Sequence, residues 1–261
     1  MTVLCDIRQL AIRYPHAKAP SLDHVSLTLQ AGERLAVIGE SGSGKSTFAR
    51  ALAGLLPPGV TVSGEIVWPS FAPAPLPGRD LGFVFQDPGA SLNPVLTIGE
   101  QVAEGAKRHL GLNWKQAFVR AADLLERVRL PEPERLLRAF PHQLSGGQRQ
   151  RVAIAAAVAA RPSILVADEV TSALDQAVQA EIVALLDDLV REEAMTLVFI
   201  THDMALASTL ADRIAVFAAG RLQEIGPVRQ VVGHPQSVAA KTLLEAHIDL
   251  ETPSLVVGGR P

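Results

Sequence analysis

Residues 22–29 alternate between apolar and polar. Leu22, Val25, Leu27 and Leu29 are apolar, with Ser26, Thr28 and other polar residues between most of them. A period of two predicts a strand with one face buried. Residues 4–14 mix β-branched and polar side chains, stop at Pro15, and predict a second strand. Short apolar runs at 34–38, 81–85, 164–167, 196–200 and 214–218 predict further strands, and 63–67 a small one inside a proline-rich loop over 55–77. Helical periodicity occupies 98–109, 114–128, 147–160, 176–192, 205–211 and 237–248, and a helix follows residue 46 through Leu52. Strands alternating with helices predict an α/β fold around a mainly parallel sheet. The helical patterns crowded between 87 and about 160 predict a helical insertion into that body.

Composition narrows the class. The chain has 261 residues, 48% of them hydrophobic and 20% charged, so it carries too much apolar surface for a disordered chain. Mean hydropathy is +0.22, yet no window supplies the roughly 20 uninterrupted apolar residues of a membrane span. The best stretch, 152–160, ends at Arg161-Pro162. The start, Met1-Thr2-Val3-Leu4-Cys5-Asp6, lacks a basic segment followed by an apolar core, which predicts a protein that stays in the cytoplasm. A formal charge of −3 argues against broad nucleic-acid binding. The single cysteine, Cys5, cannot form an internal disulfide.

One segment carries specific chemistry. Gly39-Glu40-Ser41-Gly42-Ser43-Gly44-Lys45-Ser46 matches the phosphate-binding pattern G-x-x-x-x-G-K-[ST], with Thr47 following it. A predicted strand precedes it and a helix follows. The glycines let the loop curl with its N–H groups inward, and a helix start favours anions. Lys45 is expected along the β- and γ-phosphates, with the Ser46 hydroxyl on Mg²⁺. Asp168 ends a buried strand and is a second candidate for holding hydrated Mg²⁺. Glu169 beside it is a candidate to orient or deprotonate water.

Leu144-Ser145-Gly146-Gly147-Gln148 then brings in a family. With the phosphate loop before it and Asp168-Glu169 after it, the chain resembles ATP-binding cassette (ABC) ATPases over residues 4 to about 230. The resemblance implies a cassette fold: a mainly parallel RecA-like core sheet, an N-terminal antiparallel β-subdomain, and a helical subdomain at about 87–160. Residues 1–230 would form the ATP-binding domain, and 231–261 a short C-terminal extension. It implies ATP and Mg²⁺ as ligands. It also implies Gln86 as the Q-loop glutamine near metal and water, Tyr14 stacking on adenine, and His202 as the switch histidine. Ser172-Ala173-Leu174-Asp175 resembles the D-loop, placing Asp175 at a dimer interface; an ordinary helix N-cap is the competing role for Asp175. Ser145, Gly146, Gly147 and Gln148 would meet the ATP held by a second cassette, head to tail. The family usually has Pro after the acid at 169; this chain has Val170.

Gln86-Asp87-Pro88-Gly89-Ala90-Ser91-Leu92-Asn93-Pro94, with Thr97-Ile98-Gly99-Glu100-Gln101 and His234-Pro235-Gln236-Ser237, resembles the peptide/nickel importer branch. The absence of a cysteine-bearing tail resembles its nickel-importer ATPases of the D type. That branch implies a peripheral protein on the cytoplasmic face of a bacterial inner membrane. Its implied partners are a second, same or related cassette, two permeases and, indirectly, a periplasmic binding protein, and no nucleic acid. Phe85, Leu92, Val95 and Leu96 are candidates to line a groove for a short permease helix, with ordinary core packing as the competing role for each. The alternatives are another importer cargo or a non-transport ABC ATPase. The latter usually has a long coiled-coil or zinc-bearing insertion, whereas 57 residues separate Gln86 from Leu144 here.

Overall fold

The computed structural model describes residues 2–172 and 174–248. The chain begins with β1 (Val3–Arg13), β2 (Leu22–Gln30), β3 (Arg34–Ile38), α1 (Lys45–Leu52), β4 (Thr61–Val67) and β5 (Leu81–Val84). Helices follow: α2 (Pro88–Ser91), α3 (Ile98–His109), α4 (Trp114–Arg127), α5 (Pro133–Leu136) and α6 (Gly146–Val158). Then come β6 (Ile164–Asp168), α7 (Gln176–Glu192), β7 (Thr196–Thr201), α8 (Met204–Leu210) and β8 (Arg213–Ala218). The last elements are β9 (Arg221–Pro227), α9 (Val228–Gly233) and α10 (Val238–Ile248).

The strands form two sheets. β2-β1-β4 is antiparallel. The larger sheet runs β5-β6-β7-β3-β8-β9, parallel throughout except for the β8–β9 pair. Period-two alternation divides the interior. In β3, Leu35 and Val37 join the core beneath the antiparallel sheet, while Ala36 and Ile38 join the core beneath the helices. Both faces of β3 are therefore buried, which is why it reads as a continuous apolar run. Phe48 of α1 packs on Phe217 of β8, ring centroids 5.3 Å apart, and ties the first helix to the sheet.

The helical insertion is bounded by side-chain caps. Thr97 with Glu100, Asn113 with Gln116, and Ser145 with Gln148 each form a reciprocal capping box, starting α3, α4 and α6. α6 returns the chain to the body, where Gly82 lets β5 lie close; a Cβ there would sit 2.4 Å from the Ala157 carbonyl oxygen.

Several elements differ from the sequence reading. β9 and α9 are additions. β9 is an edge strand whose apolar positions, Leu222 and Ile225, do not alternate strictly. α2 and α5 have four residues each, too short for a helical period to register. β4 starts at Thr61, two residues earlier than expected. Val231 and Ala240 are fully buried, so α9 and α10 pack onto the body. The tail beyond 248 lies outside the described residues, as does Ala173. No helix among the described residues is long and apolar enough to cross a membrane.

Candidate active site

Four neighbouring parallel strands deliver the candidate residues to one edge. The phosphate loop leaves the carboxyl end of β3, Asp168 ends β6, His202 follows β7, and Gln86 lies two residues past β5. Carboxyl strand ends are where open α/β sheets bind ligands. Between them lies a cavity of about 290 Å³, walled by Ser21, Ser41, Gly42, Gly44, Lys45, Ser46, Thr47, Gln86 and Glu169.

The loop's shape needs glycine at two points. Gly39 has φ +153°, and a Cβ there would fall 2.2 Å from the Phe217 carbonyl oxygen. Gly44 has φ +101°, and its Cβ would lie 2.4 Å from the Ser21 carbonyl oxygen. Any side chain would collide with backbone in a conformation L-residues avoid. Gly44 is also the residue before α1, so the helix starts without a side-chain cap and its first N–H groups face the loop.

Lys45 is 4% exposed. Its Nζ donates to the carbonyl oxygens of Gly39 at 2.7 Å and Glu40 at 2.8 Å, and lies 3.9 Å from Glu169 Oε1. Burial pushes its pKa down, against the opposing pull of Glu169 and Asp168. Ser46 Oγ donates to Asp168 Oδ1 at 2.9 Å. Burial raises the Asp168 pKa, the Ser46 hydrogen bond lowers it, and the neighbouring Glu169 charge raises it again. Glu169 has φ +47°, a left-handed turn just past the strand. That turn puts consecutive acids to different uses: Asp168 toward Ser46, and Glu169 toward Gln86, whose Nε2 donates to Glu169 Oε2 at 2.8 Å. Tyr14, half-buried, places its hydroxyl 3.4 Å from Thr47 Oγ1 at the loop's flank.

Oxygen donors with few protein ligands suit Mg²⁺, which keeps waters and takes the rest of its shell from substrate phosphates. Ser46 Oγ and Asp168 Oδ1 make such a pair. Ser43 Oγ is buried inside the loop without a hydrogen-bond partner, 2.7 Å from where a Cβ on Gly39 would stand.

Other expected residues stand outside this cavity. Ser145 and Gln148 are engaged with each other: the Gln148 amide donates to Ser145 Oγ at 3.2 Å, and the Ser145 amide to Gln148 Oε1 at 2.9 Å. Gly147 packs against α7, with Val178 Cγ1 3.1 Å from where its Cβ would stand. Asp175 is the N-cap of α7, accepting from the Val178 amide at 3.0 Å, so its capping role is present. His202 is exposed, one residue beyond a β7 end that is paired with both β6 and β3. Val170 is buried in the helical core, so it serves packing where the family usually has Pro.

Two residues take roles that the sequence does not assign them. Ser21 enters through its position in the turn before β2, where Gly44 crosses its carbonyl. Arg149 holds the start of α6, its Nε donating to the carbonyl oxygens of Pro141 at 3.0 Å and Leu144 at 3.1 Å. Its place directly after the glycine-bearing signature was the available signal.

A second concavity, about 500 Å³, lies between β5, α3 and α6. Phe85 and Leu92 line it with Leu55, Phe83 and the small side chains of α6. Leu92 is nevertheless 6% exposed and belongs to the core, so most of its surface is spent on packing. Val95 and Leu96 do not line it. Val95 projects into solvent, and Leu96 lines an adjoining depression beside Trp114.

A model of the ABC transporter family matches residues 22–172. The peptidoglycan transport ATP-binding protein YejF of Agrobacterium fabrum is 42% identical over 96% of this chain. The chain spans 48% of that relative's length. The oligopeptide transport ATP-binding protein OppD of Bacillus subtilis is 39% identical, covering 97% of this chain and 74% of the relative. Among solved structures, a dimeric post-hydrolysis state of the ATP-binding cassette MJ0796 bound to ADP and Pi superposes with a TM-score of 0.75 at 31% identity. It covers 87% of this chain and 99% of that one.

Proposed function

The chain belongs to the ABC transporter family, and from that premise we propose that it is the ATP-binding, ATP-hydrolysing subunit of an importer for peptide-class cargo. The observation that carries the proposal is the meeting of Lys45, Ser46, Gln86 and Glu169 around one cavity, with Asp168 bonded to Ser46 behind it.

In this reading the loop amides from Gly39 to Thr47, including Glu40, Ser41, Gly42, Ser43 and Gly44, surround the phosphates, and Lys45 neutralises them. Tyr14 lies against the base. Ser46, Asp168 and Gln86 would hold Mg²⁺, which supplies charge neutralisation at the phosphate oxygens when bound. Glu169 orients and accepts a proton from the attacking water, held in place by Gln86. His202 donates toward the γ-phosphate. Ser145, Gly146, Gly147, Gln148 and Asp175 serve the ATP of a second cassette, whose identity as the same or a related chain is a matter of expression partners. The likeness to a dimeric cassette supports that pairing.

The concavity beside Phe85 is proposed as the seat of a short helix from a permease. Two permeases and an external binding protein would complete the importer, with this subunit on the cytoplasmic face of the membrane. The relatives' names, peptidoglycan and oligopeptide transport, support a peptide class of cargo.

The test is phosphate release from ATP by the purified chain with and without Mg²⁺, paired with cellular uptake of labelled oligopeptide in a strain lacking the chain. Magnesium-dependent hydrolysis with restored uptake is the expected result. Hydrolysis without any effect on peptide uptake would overturn the cargo class, and no hydrolysis would overturn the ATPase reading.

A further inference from the structure

The concavity between β5, α3 and α6 has an unusual charge pattern. Its walls are Leu55, Phe83, Phe85, Leu92 and the alanines of α6, and Glu104 of α3 is the one charged side chain among them. Phe83 and Phe85 pack together with ring centroids 4.5 Å apart, and Phe85 stays 39% exposed. Exposed aromatic surface in a concavity marks a place for a partner.

Glu104 is exposed and unpaired. Among the described residues no basic group forms an ion pair with it, although Lys107 and Arg108 stand three and four positions further along the same helix. Those spacings commonly form helix ion pairs. Lys107 is drawn elsewhere: its Nζ lies 4.8 Å from the centre of the Trp114 ring. Glu104 thus borders two surfaces: the Leu96–Trp114 depression, which Lys107 and Arg108 line with it, and the apolar floor, whose walls hold no basic side chain.

We propose that the segment seated in this concavity is an amphipathic helix with an apolar face against Phe85 and Phe83 and a lysine or arginine placed to meet Glu104. The inference rests on the permease-docking reading and specifies the partner's chemistry. An apolar helix alone would fill the floor and cover the side of Glu104 that faces it, where no basic residue lines the wall, which is unfavourable. A basic residue removes that cost and fixes the register of the helix along the groove. An acidic residue at the same place would be repelled, so Glu104 selects against wrong segments as well as for the right one.

The experiment replaces Phe85 with photoreactive benzoylphenylalanine in the full chain, produced in cells with their own membranes, and identifies the crosslinked segment by mass spectrometry. The expected adduct is a cytoplasmic segment of an integral membrane protein with Lys or Arg within one helical turn of the attachment point. Adding Glu104→Gln should cut the adduct roughly two- to fivefold, and Glu104→Lys at least about tenfold at low ionic strength. Exchanging the partner's basic residue for Glu should restore the adduct to the Glu104→Lys chain. Unchanged melting temperatures of both variants confirm folding. A membrane-protein adduct indifferent to both Glu104 changes would overturn this inference and leave the docking reading standing. Failure to capture any membrane protein would overturn the docking reading, and this inference with it.

Discussion

Ser46 Oγ and Asp168 Oδ1 are 2.9 Å apart although 122 positions separate them in sequence. In the sheet β7 lies between β3, which leads into the phosphate loop, and β6, which carries Asp168, so the contact bridges over the end of a neighbouring strand. It places a hydroxyl from the start of α1 on a buried carboxylate whose charge Lys45 and Arg50 also favour. Burial is the main reason the Asp168 carboxyl titrates above its ordinary range. A carboxyl with a raised native pKa contributes stability when protonated. That contribution is lost as pH rises from the unfolded value through the raised native one.

Asp168→Asn should therefore stabilise the unliganded chain. The amide keeps an acceptor for Ser46 and removes a buried charge. At pH 7 the melting temperature is expected to rise by about 1–3 °C, a fraction of a kcal/mol to about 1 kcal/mol for a chain this size. The difference should shrink as pH falls toward the ordinary carboxylate range. Magnesium-dependent hydrolysis should fall to background in the same variant. A lower melting temperature with hydrolysis retained would contradict both parts.

Glu169→Gln separates geometry from proton transfer. The amide oxygen can still accept from Gln86 Nε2, so the 2.8 Å contact survives in form. What disappears is a group able to take a proton from water. Turnover should drop by about 10²–10⁴, the usual range for a general base, while ATP binding persists. An ATP-held dimer should accumulate, visible by light scattering after gel filtration. Wild-type turnover would remove Glu169 from the role of base.

Much of this arrangement was legible before any coordinates. β3, α3 and α7 fall on their expected boundaries because their signals are local: a short apolar run after a turn, and helix starts marked by Thr97 and Asp175. The phosphate loop was legible because strand, glycines, Lys45 and helix share one stretch of chain. The division of labour between Asp168 and Glu169 is expected from their order, but the left-handed residue at 169 that turns them apart is not announced by composition. Ser21 contributes through a backbone position that only the packing of Gly44 reveals. Between groove lining and core packing for Leu92 the sequence does not choose, because its neighbours are loop-like; the short helix α2 turns it mostly into the core. β9 was missed because an edge strand buries too little to alternate clearly.

Gly44→Ala tests the loop's backbone. At φ +101° an alanine is strained, and its Cβ would sit 2.4 Å from the Ser21 oxygen, so the turn before β2 must move as well. The conformational term alone costs roughly 1–3 kcal/mol. The variant should unfold at lower urea and bind ATP more weakly, since the displaced loop misaligns Lys45. Equal stability and affinity would show that the loop relaxes freely.

Cys5 offers a probe of the N-terminal sheet. It is fully buried, and burial, with a smaller push from Asp6, raises its pKa to about 12. At pH 8 the thiolate fraction falls roughly a thousandfold below that of an exposed cysteine. Iodoacetamide should therefore leave the native chain unlabelled over a period that fully labels it in denaturant, as read by intact mass. Rapid native labelling would mean that β1 opens from β2 and β4 far more readily than its packing implies.

The last prediction concerns how the helical insertion is held. Arg151 of α6 is 8% exposed; its Nη1 donates to the Val128 carbonyl oxygen at 3.0 Å and its Nη2 to Glu181 of α7. Val128 follows α4, so its carbonyl is one of those a helix end leaves without an internal partner. Arg127 adds contacts to Glu192 and Glu193, and Arg129 to Asp188, so the end of α4 is tied to α7 at several points. These contacts differ in weight. Arg151→Met preserves much of the packing and strands a buried carbonyl, which should cost about 1–3 kcal/mol in urea unfolding. Glu181→Gln removes a partner whose side chain is 60% exposed, and should cost less than about 1 kcal/mol. Adding salt should narrow both differences by the share of the Arg151–Glu181 ion pair and leave most of the Arg151→Met cost in place, because screening acts on the exposed charge and not on the buried hydrogen bond. Equal costs for the two variants, both erased by salt, would show that the ion pair and not the carbonyl contact anchors α4 to the body.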